Sequence, residues 1–354
     1  MKDKSKALTR ISKSKISLTR ISKSKTSLTR TSKSNELNSI SGSKALTILT
    51  RGKVGKEFYK YIKYRWLVLL FLPGLIYYII FHYIPMYGVI IAFKDYKFSQ
   101  GIWGSEWVGF EHFKALFSRE SFWEVFKNTL CISFYKLVFG FPPPIILALM
   151  LNEVRSLRYK KIVQTVSYLP HFVSWVVLAG LFMQILSPST GIVNQIIKSM
   201  GGEPIYFLAD PKWFRTTLVV TSIWKEVGWG AIIYVASLSN INPDLYEAAR
   251  IDGANRFKQL IYITLPSLAP VITIMFILAT GKLINDDFDQ IFNLYSPAVY
   301  KVGDVISTYT YRAGLVNMDY SYSTAVGLFK NIISLILIIS TNSISQKIND
   351  YGLF

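Results

Sequence analysis

WLVLLFLPGLIYYIIFHYIPMYGVIIAF, residues 66–93, runs for 28 residues without an Asp, Glu, Lys or Arg. Roughly 20 mainly apolar residues suffice to cross ~30 Å of hydrocarbon, so this stretch alone points to a membrane span. Five further mainly apolar runs lie at 128–151, 166–186, 216–238, 267–286 and 324–341, all but the second of them with one or two charged residues inside. All six are continuous rather than alternating, which favours helices over barrel strands, since either must satisfy its backbone polar groups without water. Pro73, Pro85 and the triplet Pro142, Pro143 and Pro144 fall within or beside these runs, where neighbouring helices can satisfy the freed carbonyls.

The composition agrees once the charge is located. The 354 residues are 51% hydrophobic and 15% aromatic but only 17% charged, with a formal net charge of +19. Mean hydropathy is nevertheless positive, at +0.31. Residues 1–65 carry eighteen Lys/Arg against Asp3, Glu36 and Glu57, so about +15 of the charge sits there. A lone Cys131 excludes a disulfide scaffold and a cysteine zinc site. Charge confined to one end excludes a uniformly basic nucleic-acid-binding domain. The sequence therefore reads as an all-α, polytopic membrane protein (residues 61–354) with a basic tail (residues 1–60).

Lys and Arg in short loops set the orientation. The connection at 152–161 holds Arg155, Arg158, Lys160 and Lys161, and the one at 239–266 holds Arg250, Arg256 and Lys258. With six spans, these loops and both termini are expected to be cytoplasmic, in a bacterial cell membrane. Residues 1–45 lack the apolar core and cleavage site of a signal peptide, so the first span is expected to remain as an uncleaved anchor. The tail repeats with a period of ten, as at residues 8–15 and 18–25, both LTRISKSK. Ser/Thr/Lys-rich sequence cannot bury a core, so disorder is expected there.

Residues 246–266, YEAARIDGANRFKQLIYITLP, lie in the loop between the fourth and fifth spans. Asn242, Pro243 and Asp244 start a helix, with Asp244 favouring its positive end. Ala248 and Ala249 permit close approach of another surface, Gly253 relieves the turn, and Pro266 is expected to open the next span. Glu247-Ala248-Ala249, then Gly253, then Ile263-Thr264-Leu265-Pro266, resembles the "EAA" signature of the membrane subunits of bacterial ABC importers. Tyr168-Leu169-Pro170, Trp224-Lys225, Gly228-Trp229-Gly230 and the run from Asn293 to Pro297 resemble the carbohydrate-importer permeases. The likeness covers most of the chain after about residue 60. It is nearest the branch importing oligosaccharides and polysaccharide fragments, uronate-containing ones included, and more distantly similar to the maltose-transporter membrane subunits.

That resemblance implies the six-helix type I importer fold. It implies a coupling surface of Glu247, Ala248, Ala249, Asp252, Gly253, Leu265 and Pro266 that docks in a cleft of a cytoplasmic ATPase. It also implies a second homologous permease, two ATPase subunits that use ATP-Mg, and an extracellular solute-binding lipoprotein. No GxxxxGK[ST] loop occurs, and His82, His112 and His171 are dispersed without an HExxH pattern. The chain is thus expected to be no enzyme, with no catalytic residues, metal or cofactor of its own.

Charges within spans usually face a cavity or a partner. Aromatic faces stack on sugar rings, while amides and carboxylates bind hydroxyls, so Trp224, Lys225, Trp229, Asn285, Asp286 and Gln290 form the expected substrate path. Lys225 and Lys282 suit uronate carboxylates. Alternatives are an ABC permease for a non-sugar solute and a membrane sensor or scaffold that holds a cytoplasmic partner without transport.

Overall fold

The computed structural model describes residues 63–284 and 287–349, with side chains to 347. The basic tail at 1–60, Asn285 and Asp286 lie outside the described residues. Contacts divide the chain into a first unit ending at Met86 and a second beginning at Tyr87.

Within the first unit, α1 (Arg65–Tyr78) buries none of its residues. A helix that is apolar all round and covers nothing in its own unit needs an apolar solvent, which is what lipid supplies. Pro73 sits inside it, and a π-turn at Ile79–Tyr83 follows.

The second unit is a helical bundle with one small hairpin, β1 (Lys94–Asp95) antiparallel to β2 (Glu106–Trp107). After α2 (Glu111–Ser118), α3 (Glu120–Gly140) leads into α4 (Pro142–Glu153). Then come α5 (Leu157–Tyr168), α6 (Trp175–Ile185) and α7 (Ile192–Ser199). α8 (Pro211–Leu238) is the hub and packs on α3, α4 and α5. Gly228 abuts the backbone of Ser167 in α5, which leaves no room for a side chain, and Gly230 meets Pro144 of α4 so closely that a side chain there would press on the ring. Small residues at such crossings let helices approach closely where lipid gives no hydrophobic drive to associate. The loop helix α9 (Pro243–Ile251) is followed by α10 (Arg256–Gln259) and α11 (Leu265–Gly281). α12 (Phe288–Leu294), α13 (Ile306–Tyr311) and α14 (Tyr320–Asn349) follow in the remaining described residues.

Among the described residues, five helical stretches are long and apolar enough to cross a membrane: Arg65–Phe93, Glu120–Glu153, Pro211–Leu238, Arg256–Gly281 and Tyr320–Lys347. The third expected span is different. In place of one helix over 166–186, the chain forms Leu157–Phe172 and Trp175–Ile185, bent by 105° at the break. The fifth also differs from expectation. Pro266 does not open it, because helical turns run from Arg256 through a π-turn at Leu260–Thr264 into α11. The wider π-turn lies just ahead of a proline that lacks an N–H and would crowd a regular turn.

Three apolar clusters hold the bundle. Ala148, Ala231, Tyr234, Leu238 and Leu268 form one at the end that carries the α9 loop. Ile132, Ala179, Phe214, Leu218 and Ile291 form a second, and Phe122, Val125, Ile284, Ile306 and Tyr322 a third.

Candidate functional site

At the loop end, the expected helix start and the expected glycine turn are realised, while Pro266 lies inside the helix that follows. Asn242 caps α9 by accepting from Asp244 N–H at 3.0 Å, with Pro243 in the first turn. Gly253 adopts φ +76°, Ala254 N–H donates to Ala249 C=O at 2.8 Å and Gly253 N–H to Arg250 C=O at 3.0 Å. This is a Schellman closure, which needs a left-handed residue at that position. Asn255 then caps α10 through Lys258 N–H at 2.9 Å. Tyr246 bonds Thr264 at 3.0 Å, and Arg256 pairs with Glu153 at 2.7 Å, so the loop is tied to α4 and to the helix that follows.

Glu247, Ala248, Asp252 and Gly253 of the expected coupling set are exposed, and Ala249 is half-buried. Leu265 is half-buried and Pro266 exposed, farther along the helix. The structure adds Ile251, which is 87% exposed, and Phe257, which is 68% exposed. With Leu245, 50% exposed, they give the loop three large apolar side chains at its surface. Sequence reading passed over Ile251 and Phe257 because they lie between the signature positions.

The bend in the third span is held by α8. Lys225 is only 6% exposed, and its Nζ donates to the carbonyls of His171 and Val173 at 2.7 Å and of Pro170 at 3.3 Å. A break inside an apolar run frees carbonyls that lipid cannot satisfy, and an ammonium offers three donors. Next to it, His171 Nδ1 lies 2.9 Å from Glu226 Oε2, while the His171 ring stacks on Trp229 at 4.4 Å and 2°.

A cavity of about 280 Å³ opens between α3, α4, α8 and α11, lined among others by Ser133, Lys136, Tyr234 and Met275. Glu226, Lys282 and Asp287 bring further charge to its wall. Lys136 pairs with Asp287 at 2.7 Å and donates to Gln290 Oε1. Gln290, fully buried, uses its amide to donate to Leu218 C=O at 2.8 Å and Thr221 Oγ1 at 2.9 Å. Lys282 is exposed and forms no ion pair among the described residues.

The expected substrate-path residues therefore separate. Lys225 and Gln290 are withdrawn from the cavity, their polar atoms engaged by backbone carbonyls and side chains of the walls. Neighbouring Glu226 faces the cavity in place of Lys225, as the ~100° step between successive helical residues requires. Trp229 stands behind Glu226 against His171. Trp224 lines a separate apolar crevice with Phe182, Leu181 and Trp213. Asn285 and Asp286 lie outside the described residues. Sequence reading noted Lys282 but missed Glu226 as a cavity residue and the pair of Lys136 with Asp287.

Opposite the α9 loop, the segment between α12 and α14 is also pinned. Arg215 donates to Asn128 Oδ1 at 2.7 Å and Val302 C=O at 3.0 Å, and Asn128 donates to Lys301 C=O at 3.0 Å. Arg312 makes a two-pronged pair with Asp304 and reaches Tyr295 Oη at 3.3 Å. The hydrogen bonds to Asp304 push the Arg312 guanidinium above its ordinary pKa against the opposing effect of burial. Burial likewise pushes the Tyr295 phenol up.

A family model described as "Binding-protein-dependent transport system inner membrane component" matches residues 140–350. Protein LplB of Bacillus subtilis (strain 168) is 43% identical over 318 residues, which is 90% of this chain and all of that protein. The polygalacturonan/rhamnogalacturonan transport system permease protein YteP of the same organism is 43% identical over 295 residues, 83% of this chain and 92% of its own. Among solved structures, a chain of a bacterial ABC transporter involved in the import of the acidic polysaccharide alginate is 44% identical, with a TM-score of 0.76. That match covers 83% of this chain and 99% of the other. The same values hold for the alginate transporter in complex with alginate pentasaccharide-bound periplasmic protein.

Proposed function

The chain belongs to the family of inner membrane components of binding-protein-dependent transport systems, and we propose that within it the protein is a permease subunit of an ATP-driven oligosaccharide importer. The observation that carries this reading is the coupling element at one end of a bundle whose middle holds a charge-lined cavity. A capped helix, a left-handed glycine and a second capped helix present Glu247, Ala248 and Ile251 outward. Acidic glycan fragments are the favoured cargo. The polygalacturonan and alginate transporters support this, as does the exposed Lys282 on the cavity wall.

In this reading the assembly sits in the bacterial cell membrane, with both chain termini cytoplasmic. A homologous second permease completes the path, two ATPase subunits bind ATP-Mg, and a solute-binding lipoprotein delivers substrate outside. This chain binds no nucleotide or metal. ATPase closure presses on Glu247, Ala248, Ala249, Asp252 and Gly253 of the α9 loop, and Leu265 and Pro266 continue that push into α11. The spans then exchange inward- and outward-facing states, biased by ATP and the loaded binding protein. Sugar contacts come from Glu226, Lys282 and Asp287 on the wall, and Asn285 and Asp286, the two residues before Asp287 in sequence, keep their expected role as sugar contacts, as do Trp224 and Trp229. Lys225 and Gln290 hold the wall in shape.

The test is gentle solubilisation from native membranes, pull-down of the chain, and an ATPase assay with a glycan panel and the binding protein. Recovery of a second permease and an ATPase, with hydrolysis raised by an oligosaccharide, is the expected result. Recovery of the chain without an ATPase would overturn the reading.

A further inference from the structure

Beyond the charged cavity, the rings of α12 and its neighbours are arranged as a row. Phe288 stacks on Phe292 at 5.0 Å and 19°, Phe292 lies 6.0 Å from Tyr295, and Tyr295 lies 4.9 Å from Tyr300. Tyr311 stands beside the row, 5.4 Å from Phe288 and 5.1 Å from Phe292. The first ring follows Asp287 directly, so the row begins at the edge of the cavity and leads away from the α9 loop.

These rings are less buried than the core, although Tyr295 packs against the cluster around Phe214. Phe122, Phe214 and Tyr322 are at most 1% exposed, whereas Phe292 is 37% exposed and Phe288, Tyr295, Tyr300 and Tyr311 are all half-buried. The row also joins hollows. Phe288 and Tyr311 border a space of about 430 Å³. Tyr300 borders another of about 440 Å³ with Glu124, Lys301 and Arg312. At that far end the Arg312 guanidinium sits 5.2 Å from the Tyr300 ring centroid, held by Asp304. The rings pack on one another, so the row offers its outer edges and the faces no neighbour covers; with a fixed cation and phenol hydroxyls at the margin, such an apolar ridge is complementary to a chain of pyranose rings. Such rings present C–H faces to aromatics and hydroxyls or carboxylates to the edges.

We propose that Phe288, Phe292, Tyr295 and Tyr300, flanked by Tyr311, form a second glycan site, an aromatic track that guides oligosaccharides longer than a disaccharide into the cavity at Lys136 and Asp287. This rests on the permease reading above. The step between rings is close to the length of one sugar residue, so a longer chain contacts several rings at once. A disaccharide gains nothing from the far end once it occupies the cavity.

The test uses the complete importer, copurified with its partners and reconstituted in proteoliposomes with the binding protein. Uptake is measured for galacturonate and alginate oligomers from dimer to hexamer. Phe292→Leu keeps apolar bulk but removes the ring. The track predicts a KM about tenfold higher for the tetramer and longer oligomers, near the upper end of one aromatic contact, with the dimer unchanged. Tyr295→Ala should act in the same direction, and Phe292→Tyr should restore the long substrates. A rise in KM that is equal for dimer and hexamer, or no rise, would overturn the track while leaving the permease reading intact. Should Tyr295→Ala fail to assemble, Phe292→Leu against Phe292→Tyr still decides. Failure of the unmodified importer to take up any glycan, with ATP hydrolysis answering a different solute, would instead overturn the function on which the track depends.

Discussion

At the scale of single residues, two lysines that look alike in sequence do different work. Lys225 satisfies three carbonyls at a break in a span, and Lys282 stands exposed at the cavity wall. Lys225→Met removes hydrogen bonds to a charged group, each worth about 1.5–3 kcal/mol, and orphans their acceptors in an apolar setting. We expect a severe loss of folded, monodisperse protein in detergent, with Lys225→Arg retaining more than Met. Lys282→Met should leave that yield unchanged. It should lower uptake of uronate oligomers several-fold more than uptake of neutral ones, and equal effects on both would remove the residue from substrate recognition. The residues that sequence reasoning misplaced share one physical cause. Acceptors of Lys225 lie 52 to 55 positions upstream, and those of Gln290 lie 69 and 72 positions away. A polar residue in an apolar run announces a need for partners but not who supplies them.

At the scale of elements, legibility follows locality. The apolar runs and the capped loop around Gly253 were readable because each signal and its partner sit within a few residues. The 105° bend was not, since Pro170 and the capping Ser174 mark a break but not its angle, and its support comes from another helix. Nor was the start of the fifth span, because a proline that often opens a helix here sits beyond a π-turn. The loop gives the sharpest prediction. A Cβ on Gly253 meets nothing within 4 Å, so Gly253→Ala is resisted by the backbone alone. Its left-handed φ costs a non-glycine residue ~1–2 kcal/mol. Gly253→Ala should therefore weaken ATPase stimulation by the binding protein, and Gly253→Pro, which also removes the N–H bonded to Arg250, should abolish it. Both proteins should still reach the membrane. Glu247→Ala tests the same surface without touching its backbone, and undiminished uptake by that variant would tell against docking there.

At the scale of the whole molecule, the two ends of the second unit are built differently. The loop end carries exposed Leu245, Ile251 and Phe257, whereas the opposite end is knit by Arg215, Asn128 and the backbone of 301–302. Hydrogen bonds between helices in a membrane contribute about 0.6–2 kcal/mol each. Arg215→Met should thus lower the melting temperature of the purified assembly measurably, while Glu247→Ala should not. The bent third span has a further consequence, for biogenesis. A broken hydrophobic segment with open carbonyls is costly in lipid by itself, and so is a helix with a lysine near its middle. Each becomes tolerable when the other is present. The two segments should therefore leave the insertion machinery as a pair, with residues 157–185 retained until the ribosome has delivered Lys225. A nascent chain stalled before residue 211 should remain crosslinkable to the translocon, whereas one stalled well beyond residue 238 should not.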